Sequence, residues 1–460
     1  MKKITALVCF LIAQIFFCAC EKINDKTVMQ QNVMVHSKIS AGNKPNIILI
    51  VADDMGYEIP TYNGGQSYST PAIDSMAYNG LEFTNFFSHP DGPASRLALV
   101  TGKYNFRNWV KFGFLDPKEK TIANLLEDAG YATCFTGKWQ FDGGDNSIHQ
   151  HGFQNYRAFM PFNPKDNNGH DQFYRRYKNP YLYENGQYMP DSIVKNKYSE
   201  DLFLEYASNF IGANQNKPFF LMYSHNLIQR PWVPSPDDPD YALWNPETDD
   251  TKKANKKYFP GMVAYMDKTI NRLLAKLTEY NLQNSTIVFF ISDNATNTAI
   301  SSVYNGQVVY GAKNSTARKG INVPCIAFAP GNILPGLPDT SLIDMTDFLP
   351  TIANLAHVPI PKSWGPVDGI TFYDNLQRFT GKQRELVYCY WPALQEGYED
   401  VSYVFDYTYK LYDSLHGGYF LNIAKDAEEM NPLDDDSLTD YEKERKEYFN
   451  EILRYGMTHK

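Results

Sequence analysis

Two pairs of oxygen-bearing side chains, Asp53-Asp54 and Asp293-Asn294, have types and settings that could do chemistry together. Each follows directly on a run of strand length, Ile47 to Ala52 in the first case and Ile287 to Ser292 in the second. If both runs lie in one parallel sheet, their carboxyl ends share the edge where open α/β sheets bind ligands. Three carboxylates and an amide converging there repel one another unless a cation neutralises them. Oxygen donors without Cys or His select a hard ion, so the pattern predicts one divalent cation, Ca2+ ahead of Mg2+. One such pair alone is better read as a turn cap. Two pairs after matching runs reverse that reading.

Between these runs lies His89-Pro90-Asp91-Gly92-Pro93-Ala94-Ser95-Arg96, followed by Leu97-Ala98-Leu99-Val100-Thr101-Gly102. The segment resembles the sulfatase signature, in which Cys or Ser, any residue, Pro, a small residue and Arg precede a helix ending in Thr-Gly. The resemblance extends in order over roughly residues 45 to 455, through Gly137-Lys138-Trp139, Ser292-Asp293-Asn294, Lys313 and Val323-Pro324. It implies an alkaline-phosphatase-like α/β fold and a metal quartet of Asp53, Asp54, Asp293 and Asn294. It also implies a cationic cradle of Arg96, Lys138 and Lys313 around a sulfate. Arg318, which the resemblance does not supply, is a further candidate for that pocket and reads equally well as a surface residue. In such proteins the nucleophile is a hydrated aldehyde made from the signature Cys or Ser, and His residues move protons.

The departures from that pattern carry as much information. Counting back from Arg96, the oxidisable position is Gly92, which has no β-carbon to become an aldehyde, and the signature Pro is Ala94. Gln229 stands where the family places a His before a residue and Pro, and Gln cannot relay a proton at neutral pH. Arg318 and Asn322 occupy the positions of an acid and a His after Lys313, and Gln140 replaces the commoner His after Lys138-Trp139. By resemblance the activity is sulfuric ester hydrolysis on sulfated glycans, with aldehyde-dependent catalysis lost or altered. The alternative is a non-catalytic, metal-dependent binder of anionic glycans at the cell surface. The residues leave open whether the chain turns over substrate. Asp91 is a substitute nucleophile beside the vacant position, whereas Ser95 reads as a structural residue at a helix start. A third reading, phosphate or phosphonate ester hydrolysis, also requires a side-chain nucleophile that Gly92 does not supply.

The elements that must position these residues read as an α/β pattern. Short apolar runs at Ile47 to Ala52, Ala132 to Thr136, Phe219 to Tyr223, Ile287 to Ile291 and Cys325 to Ala329 are expected as buried parallel strands. They alternate with helices expected at Ala72 to Tyr78 after Thr70-Pro71, Leu125 to Ala129 closed by Gly130, Met262 to Tyr280, and Leu342 to Ala356. After Gly365-Pro366, Leu386 to Tyr390, Tyr403 to Tyr407, Lys410 to Tyr412 and Tyr419 to Ile423 predict a small antiparallel sheet. A solvated helix running to Tyr455 is expected after the acids Asp434 to Asp436, with Ser437 and Asp440 at its start and an i,i+4 pair at Glu442 and Lys446. The expected division is a leader over 1–20, a tether over 21–44, a sulfatase-like domain over 45–365 and an α+β subdomain over 366–460.

Lys2-Lys3, the apolar stretch to Phe17 and Cys18-Ala19-Cys20 form a secretory leader that resembles a loose bacterial lipobox, with Cys20 as the lipidated residue. The apolar stretch is shorter than the roughly 20 residues a spanning helix needs. The expectation is an exported bacterial outer-membrane lipoprotein, facing the periplasm or the cell surface and touching the membrane only through its lipid. Cys134, Cys325 and Cys389 are scattered and read as core thiols, with no zinc spacing. A formal charge of −9 over 460 residues excludes a general attraction to nucleic acid and requires an anionic partner, here a sulfated or other anionic carbohydrate, to find a local basic pocket.

Overall fold

A computed structural model describes residues 44–159, 175–246, 255–379, 381–392 and 399–458. The leader, Cys20 and nearly all of the expected tether lie outside the described residues.

The longest uninterrupted apolar runs form the middle of a nine-stranded sheet, in the order Leu81–Glu82, Cys325–Phe328, Thr286–Ser292, Asn46–Ala52, Phe219–Ser224, Ala132–Lys138, Asn155–Phe159, Leu182–Glu184, Gln187–Tyr188. The five strands from Thr286–Ser292 to Asn155–Phe159 run parallel. All of Asn46–Ala52, Ala132–Lys138, Phe219–Ser224 and Thr286–Ser292 is buried, because helices cover both faces and no alternation with polar residues is needed. Alternate residues of the central strand feed two separate cores, Ile48 and Ile50 on one face, Ile47, Leu49 and Val51 on the other. Phe259–Glu279 and Ser199–Ala213 pack on the first face, and Gly92–Thr101 and Phe348–Leu355 on the second.

Cys325–Phe328 was expected as a parallel strand and instead runs antiparallel to both neighbours. An apolar run signals burial on both faces but not direction. Residues 342 to 356 are not one helix. Ile343–Asp344 pairs in parallel with Phe86–Phe87, and the α-helix begins only at Phe348, after Asp344 caps a short 3-10 turn.

The C-terminal strands form the expected four-stranded antiparallel sheet, Val387–Trp391, Val401–Phe405, Tyr409–Tyr412 and Phe420–Asn422 in sequence order. The terminal helix Asp440–Thr458 is not merely solvated, since Phe449 and Leu453 are buried with Tyr409, Leu411 and Phe420. Its start is fixed by Thr439, whose Oγ1 accepts from Glu442 N at 3.3 Å while Thr439 N donates to Glu442 Oε2 at 2.9 Å. Glu442 is thereby drawn to the cap and Lys446 pairs with Asp435, so the expected Glu442–Lys446 pair does not form. Cys134, Cys325 and Cys389 are buried free thiols. Among the described residues no helix is long and apolar enough to cross a membrane.

Candidate metal centre and anion pocket

Register brings the two acidic pairs together. Asn46–Ala52 and Thr286–Ser292 pair in parallel with Ala52 opposite Ser292, so Asp53 and Asp293 leave the sheet edge side by side. Asp293 N donates to Ala52 O at 3.1 Å, and Met55 N to Ser292 Oγ at 3.0 Å, fixing both turns. Asp54 adopts a left-handed backbone (φ 62°), and its N–H donates to Asp293 Oδ1 at 3.2 Å. Oxygens of Asp53, Asp54 and Asp293 lie within 4.8 Å of one another, all in buried residues. Asn294 joins them, its Nδ2 donating to Asp54 Oδ1 at 2.7 Å.

The donor set fits a hard divalent cation. Asp53 Oδ1 and Asn294 Oδ1 are buried without a hydrogen-bond partner, as is Gln140 Oε1 nearby. Leaving buried acceptors unsatisfied is costly, and an ion bonded to them would remove that cost. Asp53, Asp54, Asp293 and Asn294 are the residues that would hold it. A bound divalent cation would polarise an ester oxygen and offset the clustered negative charge.

Each carboxylate also faces a cation. Lys138 closes the strand Ala132–Lys138 and places Nζ 2.5 Å from Asp53 Oδ2 and 3.0 Å from Gln229 Oε1. Lys313 Nζ donates to Asp54 Oδ1. Arg96 grips Asp293 Oδ2 with Nε at 3.0 Å and Nη2 at 2.8 Å, and its Nη1 donates to Lys138 O at 3.0 Å and to Ser224 Oγ. Burial is the main force lowering the Lys138 ammonium to about 8, assisted by repulsion from Arg96 and Arg176 and opposed by Asp53. At Lys313 burial is again the largest single influence and acts downward, but Asp54, Asp53 and Asp293 together outweigh it and the net shift is upward.

The helix Gly92–Thr101 carries the vacant position. Asp91 caps it, accepting from Ala94 N at 3.1 Å through Oδ1 and from the Trp391 indole through Oδ2. Burial raises the Asp91 carboxyl above its usual range, with Trp391 and Ala94 opposing the rise. Both of its oxygens are thus committed to holding the loop. Ser95 Oγ accepts from His89 N at 2.9 Å and donates to Asp91 O at 2.9 Å, the structural role expected of it. A β-carbon built on Gly92 would lie 2.6 Å from Asp293 Oδ2, 3.2 Å from Gln140 Oε1 and 3.4 Å from Asn294 Oδ1. The α-carbon of Gly92 therefore faces the acidic cluster directly.

Two further sequence candidates are placed differently. Arg318 donates through Nη2 to Asn85 Oδ1 and lies 5.4 Å over the Phe87 ring, with no contact to the acidic cluster among the described residues. Asn322 donates to Thr84 O at 3.1 Å. The sequence reading missed Arg176, which donates through Nη1 to Gln229 Oε1 and, at 2.8 Å, to Arg230 O. It also missed Ser224, which orients Arg96, and Trp391, which reaches Asp91 from the C-terminal sheet. None of these belongs to a local motif. Ser224 and Trp391 do end strands, Phe219–Ser224 and Val387–Trp391, but neither is an acid, and all three residues reach the site only through tertiary pairing.

A sequence profile described as Sulfatase matches residues 45–358, more than half of the chain. The chain belongs to the sulfatase family. It is 28% identical over 341 residues to an arylsulfatase of Hemicentrotus pulcherrimus, a match covering 69% of this chain and 59% of that relative. It therefore spans about three fifths of that protein's length. It is also 28% identical over 380 residues to the N-acetylgalactosamine-6-sulfatase of Homo sapiens, covering 76% of this chain and 69% of the relative. The crystal structure of Ps i-CgsB in complex with k-i-k-neocarrahexaose shares the fold with a TM-score of 0.74 at 24% identity, over 91% of this chain and 94% of that one. The sulfatase fold thus places the paired-acid edge of this chain in the family's mixed α/β sheet, with the small antiparallel sheet at its C-terminal side.

Proposed function

We propose that this sulfatase-family chain binds sulfated glycans at a divalent-cation site without hydrolysing them, having lost the side chain from which the aldehyde-hydrate nucleophile is made. The observation that carries the reading is Gly92, whose bare α-carbon faces Asp293, Asn294 and Gln140. The position that aims a nucleophile at the cation in the family pattern here carries no side chain. Asp91 is a weak substitute, because both its oxygens already hold Trp391 and Ala94. Gln229 and Asn322, at positions where the family pattern has an acid–base His, engage Lys138, Arg176 and backbone carbonyls instead. Asp53, Asp54, Asp293 and Asn294 hold the ion, with Ca2+ preferred because the donors are all oxygen and mostly carboxylate. Arg96, Lys138 and Lys313 receive the sulfate, and anionic carbohydrate is the ligand class, as the oligosaccharide bound by Ps i-CgsB supports. Removing the nucleophile of an integrated site costs on the order of 10⁶ in kcat in a measured protease, while positioning and electrostatics survive.

We also propose that the chain is exported and tethered by lipid at Cys20 to a bacterial outer membrane, with 45–365 as the binding domain and 366–460 buttressing it. Detergent phase partitioning of wild type and Cys20→Ser tests the anchor.

The functional test is free-sulfate release from an aryl sulfate and from sulfated oligosaccharides. No sulfate above the buffer control is expected. Release that disappears in Asp54→Ala but survives in Asp91→Ala would contradict the proposal and point to hydroxide attack at the cation.

A further inference from the structure

The three carboxylates of the cluster are matched one to one by Lys138, Lys313 and Arg96. Arg176 is a fourth cation at the same site, and it has no such match. It is only 8% exposed, and among the described residues its hydrogen bonds go to two neutral acceptors, Gln229 Oε1 and Arg230 O. Its Nε is buried without any partner. No carboxylate pairs with it among the described residues, although buried guanidinium groups are ordinarily paired because taking an isolated charge out of water is expensive.

Arg176 is also held in place. Its guanidinium lies 5.4 Å over the ring of Phe159, at the end of the strand Asn155–Phe159. The adjacent Tyr177 hydroxyl donates to Asn226 O at 2.9 Å and to Gln229 O at 2.6 Å, so the Arg176-Tyr177 pair is clamped to the loop that carries Gln229. Gln229 Oε1 receives Lys138 Nζ on one side and Arg176 Nη1 on the other, which fixes the fourth cation beside the sulfate-receiving lysine. A fixed, planar fork of donors with unused capacity is the arrangement that recognises a tetrahedral or planar oxyanion.

We infer that Arg176, oriented by Gln229 and Phe159, forms a second anion subsite beside the cation and sulfate pocket, and that the preferred ligand is a glycan bearing a second sulfate close to the first. The inference rests on the proposed glycan-binding function and adds to it the number of anionic groups the site reads. Gln229 then has a role that a titrating His would not fill, because it is a permanent neutral acceptor joining two cations.

The test is calorimetric binding with Ca2+ present, using carrageenan oligosaccharides of matched length with a single or a double sulfate load per disaccharide, and D-glucosamine-2-N,6-O-disulfate with its monosulfated counterpart. Wild type should bind the disulfated member of a pair about tenfold or more tightly, the scale of one charge-assisted hydrogen-bonded contact. Arg176→Gln should lose that preference while its affinity for the monosulfated member stays within about threefold. Arg176→Lys, which keeps the charge but not the fork, should fall between the two. Equal wild-type affinity for both members would overturn the inference, as would equal loss of both in Arg176→Gln. Should Arg176→Gln fail to fold, Arg176→Lys decides the matter, since a disulfate preference equal to that of wild type would overturn the inference and a reduced one would support it. Binding of neither member by wild type defeats the proposed function itself, and this inference with it, and is distinguishable from equal binding of both.

Discussion

Gly137 shows how tightly single residues are constrained beside the site. It has φ of 107°, and a β-carbon there would lie 1.7 Å from Ser224 O on the neighbouring strand. Gly137→Ala should therefore destabilise the protein by at least about 2 kcal/mol, read as a lower urea midpoint at unchanged m-value, since the residue meets both left-handed strain and a fixed carbonyl. Asp53 makes a different demand, because its Oδ1 is buried and unpartnered while Oδ2 holds Lys138. Asp53→Asn should lower Ca2+ affinity by at least about tenfold in a calorimetric titration, by removing a charged donor and leaving Lys138 uncompensated. At this scale the sequence was informative wherever an acid follows a strand run, because the backbone itself delivers that side chain to the sheet edge. It was silent on Arg176, which meets Lys138 only through the oxygen of Gln229.

At the scale of elements, the C-terminal sheet steadies the loop that carries Lys313. Lys410, 1% exposed, donates to Thr316 O and pairs with Glu429 Oε2 at 2.7 Å, while Glu429 Oε1 accepts from Arg318 N. Thr316 Oγ1 and the Tyr412 hydroxyl share a further bond at 2.8 Å. Glu429→Gln leaves a buried ammonium without its counter-charge and should cost about 3–5 kcal/mol in denaturant unfolding. Glu82, on the edge strand Leu81–Glu82, gives a pH signature, since burial raises its carboxyl to about 7. The folded state then binds the proton more tightly than the unfolded chain. Stability should fall as pH rises from the ordinary carboxylate range through about 7, and Glu82→Gln should flatten that part of the profile in thermal melts. Four of the five long central strands were legible as apolar runs. Asn155–Phe159 was not, because it contains Arg157, whose burial is compensated by Glu184 at 2.6 Å, Leu202 O at 2.8 Å and the Tyr206 ring at 4.8 Å. Strand direction at Cys325–Phe328 was likewise beyond the pattern, being set by the chain's return path rather than by composition.

Across the whole molecule, an acidic chain with a formal charge of −9 gathers four cations around one acidic cluster, so among the described residues this pocket offers an anion a local attraction that the general field does not. Cation binding should also be a stability term. Ca2+ at about a hundredfold excess over Kd should add about 2.7 kcal/mol, and chelation should lower Tm accordingly. The most direct check on the central claim is a single calorimetric experiment, titrating a sulfated oligosaccharide into wild type with Ca2+ and again after chelation, while the cell contents are assayed for free sulfate. The account predicts saturable binding that needs the cation, with the glycan recovered intact. Cation-independent binding, or sulfate appearing in step with added glycan, would contradict it.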